Sequence, residues 1–273
     1  MSAPTADRYA ARSVNASGRS SRASSVGFIV GEALLLCAAV VLSLLVIQQP
    51  GPLPGDVEVE VAVQHALLPH RLATTVLEWV STINWPVPAG AALAVIVGGL
   101  LLLRRWLDSL IVLCVSGLAD ASNFLTALLV HRPRPEGYGI TVLQKVTATT
   151  SFPSGHVVHV IAFLGILIFL SFQTRRVAWL LWPLRALFVV VILLMGPSRL
   201  LEGEHWPTDV LAGAFLGAFW LVLGIYAFAW AARRWPRLLA RDGREGLGKP
   251  DHEPPSGGGV PKGGGARPTP RAA

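Results

Sequence analysis

Charge is scarce in this chain: Asp, Glu, Lys and Arg make up 14% of its 273 residues, against 52% for hydrophobic residues. An ordinary soluble domain carries about 25% charged residues, whereas apolar runs of about 20 residues are what a helix needs to cross a bilayer core. Cysteine is nearly absent. Cys37 and Cys114 each fall inside an apolar run, which predicts small buried hydrophobes and no disulfide. Also missing is any stripe of aromatics between the basic residues, so the net charge of +7 does not read as a nucleic-acid surface. The basic residues are dispersed over tails and short loops, as topology signals of an integral membrane protein are.

The apolar runs predict an all-α fold, a polytopic membrane helix bundle with six transmembrane helices plus short interfacial helices. Residues 1–25 are rich in Ser, Ala and Arg without apolar periodicity and read as a disordered cytoplasmic tail. The first span, 26–47, is long for a secretory signal and is followed by no clear small-x-small cleavage site. Pro50, Pro52, Pro54 and Gly55 end it, and 49–84 then carries Asp56, Glu58 and Glu60 with a moderately amphipathic stretch, expected as one or two helices at the interface. The remaining spans are expected at 86–103, 107–130, 156–172, 181–195 and 209–231, which makes 26–240 one membrane domain. The stretch 241–273, rich in Gly and Pro, reads as a second disordered cytoplasmic tail.

Two features inside the spans stand out. Asp120 and Asn123 are costly in lipid and should face the bundle, either for a hydrogen bond between helices or for proton handling. Gly213 and Gly217, four apart, should let another helix approach closely.

An even number of spans puts both termini on one side. Of the 23 Lys and Arg residues, only Arg71, Arg132, Arg134, Lys145 and Arg199 fall on the other, so the termini are expected in the cytoplasm. Three polar stretches then meet at the outer face. The first, SRLLEGEHWPTD at 198–209, holds Arg199, His205 and Asp209. Arginine grips phosphate with a planar fork, a neutral imidazole can attack phosphorus, and a carboxylate can hold that imidazole's tautomer. The second, FPSGH at 152–156, turns the N–H groups of Ser154 and Gly155 and the Ser154 hydroxyl out of a helix N-terminus, an anion site. His156, in the first turn, is placed to give a proton to a departing oxygen. The third, HRPRP at 131–135, adds Arg132 and Arg134.

The neighbours of these motifs have duller readings. Glu202 and Glu204 would repel a phosphate and are expected to face water, and Trp206 is expected to be an interfacial anchor. His65, His70 and His131 read as interfacial groups. His159, one turn after His156, either lines the same pocket or packs beside it.

In this order, RP, then PSGH, then SR with His205 six residues after Arg199 and Asp209 four beyond, the chain resembles the type 2 phosphatidic acid phosphatase superfamily, which also includes the vanadium haloperoxidases. The resemblance implies that His205 attacks phosphorus and forms a phosphohistidine while Asp209 accepts its other N–H. It implies that His156 protonates the leaving group, that Arg134, Arg199, Ser154 and the Gly155 N–H neutralise the transition-state oxygens, and that no metal or cofactor is needed. The chain departs from the pattern once: the lysine that normally stands seven residues before Arg134 is Ala127. Arg132 and Lys145 are the candidates to replace that charge.

The expected activity is hydrolysis of a lipid phosphate or lipid diphosphate, such as phosphatidic acid or a polyprenyl diphosphate, at the extracytoplasmic face. Phosphoryl transfer to a sugar or lipid acceptor and non-catalytic binding of a lipid phosphate are the alternatives. Membrane lipids and the substrate are the expected partners. The bias toward Ala, Arg, Gly and Pro suits a bacterium of high genomic GC content, hence a plasma membrane.

Overall fold

Hydrocarbon offers no partner for a peptide group, so an apolar chain crossing it must satisfy its backbone within each segment, as a helix does. The computed structural model describes residues 6–143, 150–173 and 179–235, with side chains from Gly27 onward. Within these, eight helices follow in order: α1 (Ala6–Gln48), α2 (Asp56–Leu67), α3 (Arg71–Thr82), α4 (Pro86–Leu102), α5 (Trp106–Leu129), α6 (Gly155–Phe172), α7 (Trp182–Leu201) and α8 (Pro207–Arg234). Five have the length and hydropathy to cross a membrane, namely Gly27–Gln48 of α1, α5, α6, α7 and α8. The pair α3 and α4, bent by 61° at their break, makes a sixth when counted as one crossing. The chain is an all-α integral membrane protein. Three of the spans open on proline, which has no N–H to leave unsatisfied in a first turn: α4, α7 and α8 each carry it at N1 or N2.

Several boundaries differ from those the sequence suggests. Helix α1 begins at Ala6, so helix replaces the expected disorder over most of 1–25. Helix α7 continues past Met195 and through Pro197 to Leu201, which puts Arg199 in its last turn instead of in a following loop. The tail beyond 240 and Lys145 lie outside the described residues. Cys37 and Cys114 are free, but both are exposed on outward helix faces instead of buried. Helix α2 differs most. An interfacial helix would turn its acids to water, yet Asp56, Glu60 and Gln64, at i, i+4 and i+8, are its buried residues. Gln64 Nε2 reaches the end of α7, donating to the Leu200 and Leu201 carbonyls at 3.2 and 3.1 Å. Carbonyls in the last turn of a helix lack the next turn's N–H groups; Gln64 serves both of these, and the Leu200 carbonyl also accepts the Gly203 N–H at 3.1 Å.

The centre of the bundle is α6, packed between α5 and α8 through Val112, Val115, Val158, Ala162, Ile166 and Phe228. Two glycines of α8, Gly213 and Gly217, permit this approach. A Cβ at Gly213 would stand 2.8 Å from the Ser154 carbonyl oxygen, and one at Gly217 would stand 2.8 Å from that of Val158. Ser154 is the N-cap of α6 and belongs to the second motif. Gly213→Val is therefore expected to push α8 away from that cap, lowering thermal stability by about 1–3 kcal/mol and cutting activity further than Gly217→Val, which strains the same interface one turn deeper. Thermal unfolding in detergent, alongside phosphate release, reads both effects.

The ends of α1, α5 and α7 and the starts of α6 and α8 gather at one end of the bundle. Val46, Val130, Phe152 and Ala212 form a small core there, with Leu53 against it. The Ser154 N–H donates to the Asp209 carbonyl at 3.1 Å, joining the starts of α6 and α8. On the other flank α3 packs on the end of α7, where Ser198 Oγ donates to the Leu77 carbonyl at 2.9 Å.

Candidate active site

Asp209, at the third position of α8, accepts the Trp206 N–H on Oδ2 at 2.9 Å and so caps the helix. That cap holds His205, one residue earlier. His205 Nδ1 lies 2.6 Å from the Ser151 carbonyl oxygen. A carbonyl only accepts, so Nδ1 carries the hydrogen and Nε2 is left with its lone pair, the form needed for attack on phosphorus. Asp209 Oδ2 stands 3.9 Å from Nδ1, beyond hydrogen-bond reach. The expected His205–Asp209 hydrogen bond is thus corrected: the Ser151 carbonyl holds the tautomer, and Asp209 is occupied elsewhere. Burial holds the His205 imidazole below its ordinary value of 6.5, with part of the effect offset by the Asp209 charge.

Asp209 is occupied by Arg132. One end of that guanidinium donates to Asp209 Oδ1 at 2.5 Å and to Thr208 Oγ1 at 2.7 Å, and the other donates to Asp56 Oδ2 at 2.6 Å and to the Gly51 carbonyl. All three charged side chains are fully buried. Arg132 therefore does not replace the missing lysine. It rivets the HRPRP stretch to α2 and α8, and is not the spare phosphate cation expected of it. Beside this cluster Glu60 is buried with both oxygens unpartnered among the described residues. Burial, with Asp209 and Asp56 nearby, pushes its carboxyl up to about 9, so it is neutral at pH 7.

The other two arginines are also held by acids. Arg199 is fully buried, with Nη1 3.1 Å from Glu204 Oε2 and Nη2 against Glu202 Oε2 and Ser81 Oγ. Arg134 donates to the Glu204 carbonyl at 2.8 Å and to the Thr150 carbonyl at 3.4 Å, with the Glu204 carboxylate 3.6 Å away. Glu202 and Glu204 do not face water. They are buried because α7 runs a turn and a half further than expected, which carries both acids into the ring of arginines. Burial raises the Glu202 carboxyl above its usual range, against the opposing pull of Arg199.

At the start of α6, Ser154 is fully buried and its Oγ has no partner among the described residues. His156 Nε2 is likewise buried and unpartnered, and His156 lies close enough to Arg199, His205 and Arg134 to share their electrostatic field. Asn84, in the break between α3 and α4, donates to the His156 carbonyl at 3.1 Å. The third motif residue, Gly155, faces α5: a Cβ there would meet Asn123 Nδ2 at 2.9 Å. Asp120, one turn earlier on α5, accepts from His159 Nδ1 at 2.9 Å, so the costly carboxyl pairs between helices and His159 is its partner. Trp206 is buried, not an interfacial anchor, and its Nε1 donates to the Pro133 carbonyl at 3.1 Å. His65, His70 and His131 are exposed.

The structure thus brings His156, His205, Arg134, Arg199, Ser154 and Gly155 to one end of the bundle, and gives Asp209 and Arg132 a bracing part. Asp56, Ser81 and the Ser151 carbonyl were not anticipated. The stripe of Asp56, Glu60 and Gln64 at helical spacing was a readable signal for the first. A backbone carbonyl leaves none in a sequence.

Ser154 Oγ and His156 Nε2 are thus buried without a partner among the described residues, with Arg134 and Arg199 near enough to act on the His156 imidazole. Residues 105–233 match the model of the PAP2 superfamily. The chain is 32% identical over 173 residues to the decaprenylphosphoryl-5-phosphoribose phosphatase of Mycobacterium tuberculosis, covering 60% of this chain and 85% of that one. It is 30% identical over 144 residues to undecaprenyl-diphosphatase BcrC of Bacillus subtilis, covering 50% and 68%. The crystal structure of a transmembrane PAP2-type phosphatidylglycerolphosphate phosphatase from Bacillus subtilis shares the fold, with a TM-score of 0.59 at 21% identity, over 72% of this chain and 94% of that one. The chain belongs to the PAP2 superfamily, and it is an enzyme, a phosphatase of lipid substrates.

Proposed function

We propose that the protein hydrolyses a lipid phosphate or lipid diphosphate at the extracytoplasmic face through a phosphohistidine on His205. The observation that carries this reading is the pair of orphaned atoms, Ser154 Oγ and His156 Nε2, buried beside an imidazole whose lone pair is presented by the Ser151 carbonyl. A buried polar atom without a partner is rare unless a ligand supplies one. A phosphate seated at the start of α6 would accept from Ser154 and from the N–H groups of the first turn.

The reaction then runs in two displacements. His205 Nε2 bonds to phosphorus as the bond to the lipid oxygen breaks, and His156 gives that oxygen its proton. Water next attacks phosphorus, His156 takes a proton from it, and the phosphorus–nitrogen bond breaks to release inorganic phosphate. Arg134 and Arg199 stabilise the charge on the transferred group, where positioned donors matter most. Their carboxylate partners hold the guanidinium planes in place before substrate arrives. Phosphatidic acid and polyprenyl diphosphates are the substrates proposed, and the undecaprenyl diphosphate named for one relative supports the second. The outer-face location rests on the distribution of Lys and Arg over the turns and tails.

Full-length protein in detergent is expected to release phosphate from both substrates, with and without a chelator. Phosphoryl transfer to an added acceptor without free phosphate would replace hydrolysis by a transferase activity. Lipid-phosphate binding without turnover would leave a binding protein.

A further inference from the structure

At the end of the bundle opposite the motifs, a cavity of about 380 Å³ opens where α4 and α6 end and α5 and α7 begin, within the range of about 300 to 1,000 Å³ typical of small-molecule sites. Its lining follows α4 from Leu103 back to Val95, about 12 Å at 1.5 Å per residue, so it is a slot parallel to the helices. Val95, Leu167 and Phe188 wall its deep part, and two arginines, Arg105 and Arg185, line it near the helix ends. Beside the same helix ends Trp106, Trp179 and Trp182 are exposed, and exposed tryptophans mark the boundary between hydrocarbon and headgroups. Arg185 is 4% exposed and held in place: Nε donates to Ser171 Oγ and Nη2 to the Ser171 carbonyl, both at 2.8 Å, and Cζ lies 3.9 Å from the centre of the Phe172 ring. Arg105 pairs with Asp108, and Arg104 beside it is exposed. Three cations thus stand against one carboxylate at this rim.

We propose that this slot binds an anionic phospholipid of the leaflet opposite the proposed active site, with one acyl chain lying along α4 and the phosphate at Arg105 and Arg185. The deep walls offer only hydrocarbon, which suits a chain and excludes a sugar or nucleotide. The rim offers an excess of positive charge at headgroup level, which a neutral lipid does not use and an anionic one does. A guanidinium already fixed on an aromatic ring loses little freedom on taking a phosphate. The substrate's own tail is not the occupant, because the motifs gather at the other ends of α5, α6 and α7. Helix α4 packs on α5 and α7 packs on α6, so a lipid in the slot ties the two pairs together. This site does not depend on the phosphatase reading.

The test follows thermal unfolding of the full-length protein in a nonionic detergent against added dioleoylphosphatidylglycerol, dioleoylphosphatidylcholine and dioleoylglycerol. Phosphatidylglycerol is expected to raise the unfolding midpoint by about 5 °C at saturation, and the other two by about half as much or less. Gly99 lines the slot, and a Cβ there meets nothing within 4 Å. Gly99→Leu therefore fills the slot without a clash and is expected to remove the phosphatidylglycerol shift. Arg185→Gln is expected to raise the phosphatidylglycerol concentration needed by about tenfold, the effect of losing one charge-assisted hydrogen bond; if that variant does not fold, Gly99→Leu decides. Equal shifts from phosphatidylglycerol and phosphatidylcholine would show that the rim does not read charge and overturn the proposal. So would a full shift in Gly99→Leu, which would move the lipid elsewhere, or no shift in the wild type. A protein that releases no phosphate yet shows the Gly99-dependent shift keeps the lipid site and loses the phosphatase reading.

Discussion

His205→Asn is expected to abolish phosphate release, by on the order of 10⁴-fold or more, as loss of an activated nucleophile does, while the protein stays folded. The Asn amide can still donate to the Ser151 carbonyl, which His205 Nδ1 meets at 2.6 Å, so the loop keeps its bond and loses only the nitrogen aimed at phosphorus. Steady-state phosphate release and thermal unfolding, measured on the same preparation, separate these effects. Retained hydrolysis would remove the phosphohistidine from the proposal. A pH profile adds a second check on the wild type. Because burial lowers the folded imidazole from 6.5, the unprotonated fraction stays close to one at neutral pH and falls only as pH drops through that lower value. The acid limb of kcat/KM is therefore expected below pH 6.5. A limb above it would mean that the Asp209 charge dominates over burial.

Arg132→Ala is expected to act on stability first. It leaves Asp56 and Asp209, both fully buried, without the guanidinium that joins them, at a cost of about 3–5 kcal/mol for a broken buried pair. Thr208 still offers its N–H and hydroxyl to Asp56, so part of the junction between α2 and α8 survives. Arg132→Lys is expected to recover only a fraction, because an ammonium group cannot span two carboxylates as a planar fork does. The measurement is the midpoint of thermal unfolding in detergent, together with the yield of monodisperse protein. A variant with unchanged stability and reduced substrate affinity would instead return Arg132 to the phosphate and undo the bracing part assigned to it.

These expectations show which parts of the site could be read in advance. His156, His205, Arg199 and Ser154 were legible because each stands at a spacing tied to a helix end, and helix ends are marked locally by proline, serine and the start or finish of an apolar run. Glu202 and Glu204 were misread for a local reason: an arginine followed by two acids looks like the polar end of a span, so the extra turns of α7 were missed. Once α7 runs to Leu201, the same acids can only point inward. Ala127 shows the reverse. The missing lysine was visible at once, but whether Arg132 could replace it depended on Asp56, a residue 76 positions away.

Hydropathy and length, which are properties of consecutive residues, were enough to determine a helical membrane bundle, and the parity of its spans placed three motifs at one end. The pairing of buried charges was decided only by tertiary structure. A guanidinium or carboxylate shut away from water must find a partner of opposite sign, and packing of distant segments selects which one. That selection turned Arg132 into a brace, gave His205 a backbone carbonyl in place of Asp209, and set Glu202 against Arg199 and Ser81.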